Sequence, residues 1–139
     1  MGGLNDMNKI HEFDPLIYPT RIWIGVNVSS EDIAEKFYGL NRDCTRFDIK
    51  DGTPNYNSFQ ICCCHPVSDK KDGWMGIMCN ILRPKDMTVG VIAHEAEHIV
   101  CWICEQFDIY STTFEDSEPR AYLIQWVADC IDKVKRGKV

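Results

Sequence analysis

Positive charge is scarce in this chain: 15 Lys and Arg stand against 21 Asp and Glu, a formal net charge of −6, and the one basic cluster is the terminal KVKRGKV. Phosphate backbones are gripped by clustered Lys and Arg, so no nucleic-acid partner is expected. Long apolar runs are missing as well. No stretch approaches the roughly 18 residues that a membrane helix needs, and MGGLNDMNKI lacks the apolar segment of a secretory signal. Asp6 stands where a myristoylation signal wants Ser or Thr. The expectation is a cytoplasmic protein with no membrane partner. Repeats, charge blocks and low-complexity tracts are absent too, which excludes a solenoid or an extended disordered chain.

What is present suits one folded unit. A length of 139 residues, 45% hydrophobic and with four Trp, is enough for one core. We read residues 1–139 as a single domain, with 1–14 and 136–139 as flexible ends. Eight cysteines would mean disulfides in a secreted chain, but the missing signal and the adjacent trio Cys62, Cys63, Cys64 suit reduced thiols.

Arg21 to Val28 alternates around β-branched and aromatic residues and reads as a strand. SSEDIAEKFYGL follows, with Ser29 or Ser30 as N-cap and Ile33, Phe37 and Leu40 at helical spacing, which predicts a helix covering one sheet face. CTRFDIK reads as a short strand ended by DGTPN. SFQICCCHP and GWMGIMCNIL read as two more, a hairpin joined by VSDKKD. Thr88 or Asp86 then caps a helix from about Val89 to Phe107. The loop DIYSTTFEDS leads to a last helix that tolerates Pro119 in its first turn and runs to about Lys135. The order predicts an α+β domain: a small mixed or antiparallel sheet, a covering helix, and two further helices.

The chemistry concentrates in VIAHEAEHIV. His94 and His98 are four apart, so on a helix both imidazoles lie on one face and can reach one ion, Zn2+ above all. His94-Glu95-Ala96-Glu97-His98 satisfies H-E-x-x-H, in which the Glu after the first His is the general base. Helical angle alone does not separate Glu95 from Glu97; the motif selects Glu95, and Glu97 is read as a solvated or supporting acid. A catalytic zinc takes three protein ligands, and Glu118, 20 residues after His98, is within reach of a ten-residue loop. Asp116 and Glu115 are substitutes, and a plain helix N-terminal acid is the bland alternative for Glu118. Along the last helix Glu118, Tyr122, Gln125 and Asp129 fall within about 60° of one another. Tyr122 is a candidate catalytic group and Asp129 a supporting one. Tyr122, Arg120 and Tyr110 are candidate oxyanion donors.

His94-Glu95-x-x-His98 with Glu118 resembles the zincin metallopeptidases and is similar in spacing to their gluzincin subgroup. The resemblance covers about 40 residues. It implies a zincin-like fold with an upper sheet, an active-site helix and a catalytic zinc. It also implies His94, His98 and Glu118 as ligands, Glu95 as base, and a peptide or protein substrate. Gluzincins commonly carry an Asp four residues after the ligand Glu, where this chain has Tyr122. In zincin-like arrangements the strand before the active helix can pair with an extended peptide. That strand would run from Trp74 to Asn80, with Trp74, Gly76 and Met78 binding substrate. A second likeness spans most of the chain: IYPTRIWI, RPKDMTVGVIAHEAEH and SEPRAYLIQWVADC resemble uncharacterised proteins carried by phages and prophages of gut bacteria. It implies an accessory role and no particular activity. The alternative to a metallopeptidase is therefore a non-catalytic zinc-binding accessory or interaction protein.

The cysteines offer a rival site. Cys101 and Cys104 form C-x-x-C, and Cys62, Cys63, Cys64, His65 and Cys79 can meet across the hairpin, but no second C-x-x-C completes a structural zinc pattern. In a strand Cys62 and Cys64 face one side while Cys63 and His65 face the other. The trio is therefore read as small buried apolar residues rather than one cluster.

Overall fold

In chain order the elements are β1 (His11–Phe13), β2 (Arg21–Val26), α1 (Ser30–Lys36), β3 (Phe37–Leu40), β4 (Arg46–Phe47), β5 (Cys62–Asp69), β6 (Met75–Ile81), a 3-10 turn at Pro84–Asp86, α2 (Val89–Gln106) and α3 (Glu118–Lys135). The computed structural model describes residues 10–50, 59–110 and 113–139. The strands form one sheet in the order β1-β2-β6-β5-β3-β4. β2 and β6 run parallel, and every other neighbouring pair is antiparallel. The α+β class and the mixed sheet are therefore as the sequence implied.

Successive side chains of a strand point to opposite faces, and that alternation sorts the core into two layers. Ile22 and Ile24 of β2 join Ile77, Cys79 and Ile81 of β6 under α2 and α3. Trp23 and Met78 point the other way and meet Ile33 of α1, Phe37 and Val67. Because β2 and β6 are covered on both faces they read as nearly continuous apolar runs.

The helices follow their caps. Ser29 Oγ accepts from Asp32 N–H at 3.1 Å to start α1, and Thr88 Oγ1 accepts from Val91 N–H at 3.2 Å to start α2. Ser117 precedes α3 without a side-chain cap, and Pro119 sits in its first turn, where its missing N–H leaves no helix bond unmade.

Several boundaries differ from the sequence expectation. The helix expected to reach Leu40 stops at Lys36, and Phe37–Leu40 becomes a strand between β5 and β4. Burial decides this: Phe37 packs edge-on against Trp23, with ring centroids 4.9 Å apart, and a Cβ on Gly39 would collide with the Phe47 ring. The first expected strand ends at Val26 because Asn27 adopts a positive φ of 50°, after which Asn80 clamps Val28. CTRFDIK yields only the two residues of β4, and DGTPN lies outside the described residues. β5 starts at Cys62 and runs through Val67–Asp69, the segment expected to begin the turn. The turn itself uses Asp69, whose carboxylate accepts from Lys71 N–H at 2.8 Å, and Gly73 with a φ of 78°. Residues 11–13, expected in a flexible end, form β1, where Glu12 Oε1 accepts from Trp23 Nε1–H at 2.9 Å. Residues 1–9 lie outside the described residues. At the other end Gly137 and Lys138 donate backbone hydrogen bonds into the last turn of α3. Among the described residues no helix is long and apolar enough to cross a membrane.

Candidate metal centre

α2 turns Ile92, Ala96, Ile99, Val100 and Ile103 into the core, and that stripe dictates where the rest of the helix points. His94 and His98 fall on its exposed flank. Their Nε2 atoms stand 3.2 Å apart and their rings meet edge to face, centroids 4.8 Å apart. Two imidazoles on one tetrahedral zinc, each nitrogen at about 2.0–2.1 Å, stand about 3.3 Å apart. At this separation one imidazole N–H donates to the other ring nitrogen, and the same spacing is also that of two ligands on one ion.

Glu95, one residue on, faces β5 and is only 8% exposed. Its Oε2 accepts from the Cys64 thiol at 3.2 Å. Burial pushes its pKa up, as does charge on Cys62; the Cys64 hydrogen bond and the neighbouring His94 and His98 pull the other way without cancelling the rise. A carboxyl held up in this manner is suited to carrying a proton. His94, Glu95 and His98 share a cleft of about 500 Å³ with Cys62, Cys64 and Trp102.

The sulfurs gather on the same side of the sheet. Cys64 pairs with Cys79 across the hairpin, Cys62 Sγ is 3.3 Å from Cys79 Sγ, and the ligand atoms of Cys62, Cys64 and Cys79 all lie within 4.8 Å of one another. These three are placed to hold a metal ion. Contact with Cys64 and Cys79 pulls the Cys62 thiol well down, while contact with Cys62 and Cys79 and burial push Cys64 up. The expected alternation along β5 holds, since Cys62 and Cys64 share the α2 side. The sequence places Cys79 among the residues that can meet across the hairpin but favours small buried apolar cysteines over a cluster; the structure brings Cys79 to Cys62 and Cys64 as a third sulfur. The i, i+2 pair opposite a cysteine on the facing strand was the available signal, but it needed the hairpin register.

Other expected site residues lie elsewhere. Glu118 is exposed in the first turn of α3. Among the described residues no set of His94, His98 and an acid has its ligand atoms within 4.8 Å, so the structure does not bring Glu118, Glu115 or Asp116 to the pair. Asp116 instead accepts from Thr113 N–H at 2.9 Å within the loop. Tyr122, 66% exposed, lines a separate groove with Leu16, Tyr18 and Trp126, and Asp129 is exposed on the same stripe. The cause is the apolar face of α3, which turns Leu123, Val127, Cys130, Ile131 and Val134 inward. At the edge of that packing Arg120 pairs with Glu97 of α2 and lies 3.5 Å from the sulfurs of Cys101 and Cys104. Glu97 is thus a helix-to-helix tie, and the C-x-x-C cysteines belong to the same seam. Tyr110 is exposed in the loop, its hydroxyl 3.2 Å from Asp108 Oδ1.

The expected peptide edge is overturned. β6 is hydrogen-bonded to β2 on one side and β5 on the other, so it offers no free edge. Gly76 packs against the Arg21 carbonyl, Met78 is buried, and Trp74 lies beneath the Arg21 guanidinium at 3.9 Å.

Compared with family models, curated proteins and solved structures, the chain matches none.

Proposed function

We propose that this protein is a zinc-dependent hydrolase of peptide bonds, with His94 and His98 as zinc ligands and Glu95 as general base. The observation that carries this reading is the 3.2 Å separation of the two imidazole nitrogens beside a buried carboxyl in the same cleft. A zinc ion supplies polarisation of the scissile carbonyl and a more acidic water. Glu95 accepts the proton of the attacking water and returns it to the leaving amine. Cys64 holds the Glu95 side chain through its thiol, and Trp102 walls the cleft. The zincin-like element of the reading is the helix that carries both histidines and the base; a catalytic zinc takes a third protein ligand, which Glu118 does not supply in this arrangement.

The test is Glu95→Gln, an isosteric change that retains bulk and removes the base. Zinc content should be unchanged while cleavage of a peptide library falls by about 10²–10⁴-fold. Activity that survives the change would sink the mechanism.

A second reading is a non-catalytic zinc-binding accessory protein. It is favoured by one observation: among the described residues the only three-donor set within ligand distance is made of thiols, not of the histidine pair and an acid. It requires bound zinc and no turnover on any peptide.

A further inference from the structure

We infer that Cys62, Cys64 and Cys79 form a site for one thiophilic divalent ion of the zinc class, distinct from the His94–His98 pair. Residues two apart on a strand share a face. Cys62 and Cys64 therefore project together from β5, and the register sets Cys79 of β6 opposite Cys64. All three sulfurs lie within 4.8 Å of one another. Thiolates at about 2.3 Å from one tetrahedral zinc stand about 3.8 Å apart, which falls inside that span.

The donor chemistry narrows the ion. Three sulfurs select zinc, cadmium or other thiophilic metals over magnesium and calcium, which take oxygen. A disulfide is a poorer account of the group, because it joins two sulfurs and leaves the third buried beside them. Cys79 is fully buried, whereas Cys62 and Cys64 line the cleft. The fourth coordination position therefore opens toward the cleft, on the side where Glu95 stands 3.2 Å from Cys64 Sγ. An ion there joins neighbouring rungs of the β5–β6 hairpin beneath α2, so binding and folding are linked.

The inference does not depend on the hydrolase reading, since it is argued from the three sulfurs alone; the two sites meet only where Cys64 touches Glu95, and a metal-bound Cys64 gives up the proton of that contact. The test uses full-length protein carrying His94→Ala and His98→Ala; both residues are exposed, so the double change leaves the core intact. Titrated with Co2+, this variant should bind one equivalent with sulfur-to-cobalt charge-transfer absorption, and Zn2+ should displace it. X-ray absorption of the zinc form should show three sulfurs at about 2.3 Å. Adding Cys62→Ser, at the cleft wall, should reduce that count to two, and adding Cys63→Ser should leave it at three. A variant that binds no stoichiometric ion, or one coordinated only by nitrogen and oxygen, overturns the assignment. Failure of the wild-type protein to cleave peptides would count against the hydrolase alone.

Discussion

Replacing Asn80 with alanine removes both groups that serve the Val28 backbone. Asn80 Oδ1 accepts from Val28 N–H at 3.0 Å, and Asn80 Nδ2 donates to the Val28 carbonyl at 2.9 Å. The two residues are 1% and 3% exposed, so bulk water does not replace the lost partners. A buried donor or acceptor left unpaired costs about 1–3 kcal/mol, and two cost about 2–6 kcal/mol. Unfolding entropy of about 2.1 cal/mol/K per residue gives roughly 0.29 kcal/mol/K for this chain. The melting temperature should therefore fall by about 7–20 °C. Calorimetry with chelator present keeps metal linkage out of the comparison. A fall of less than about 2 °C would refute the reasoning, because it would mean that the clamp contributes nothing the unfolded chain does not regain in water. The outcome bears on the cleft: Asn80 follows Cys79 on β6, and its clamp ties that strand to the connection between β2 and α1.

Three more outcomes are expected. Thr88→Ala removes the α2 cap and should lower stability by about 1 kcal/mol in denaturant titration, with no change in zinc content. Glu118→Ala should leave both zinc content and any peptide cleavage at wild-type values, whereas His94→Ala should reduce both; an equal effect of the two changes would restore Glu118 to the ligand set. Asp69→Asn tests a pH dependence. Burial alone would raise the Asp69 pKa, but the hydrogen bonds from Lys36 and the Lys71 N–H, with the charges of both lysines, hold it below its ordinary value. A depressed carboxyl stabilises the fold above its unfolded pKa of about 3.9 and loses that contribution as pH falls through the folded value. The stability gap between wild type and Asp69→Asn should thus be constant near neutrality and shrink below about pH 4, as read by urea unfolding across that range.

What the chain disclosed before folding was whatever depends on spacing within one element. Ser29 and Thr88 announced their helices, and His94 and His98 announced a shared face of α2. Relations between elements were less visible. Phe37 and Leu40 keep helical spacing with Ile33, yet Phe37 is drawn into β3 by Trp23, a partner on a strand more than ten residues earlier. The hairpin was foreseen but not its register, and register is what sets Cys79 opposite Cys64. β6 looked like an edge strand because it precedes the helix that carries His94 and His98. Only the parallel pairing with β2, reached across α1, β3, β4 and β5, makes it central.

Glu118 shows that reach is not direction. A ten-residue loop can carry it to α2, but the rotation of α3 is set by burial of Leu123, Val127, Cys130, Ile131 and Val134. At 100° per residue, the centre of that apolar stripe lies about 150° from the centre of the Glu118, Tyr122, Gln125 and Asp129 stripe. The same wheel puts Arg120 about 160° from Glu118, on the side that meets Glu97 and Cys101 of α2. The polar stripe that suggested an active site was therefore the solvent face all along, and the wheel of one helix contained that correction. No such internal check exists for the three sulfurs, whose meeting depends on two strands, and this is why the more complete donor set was the harder one to read.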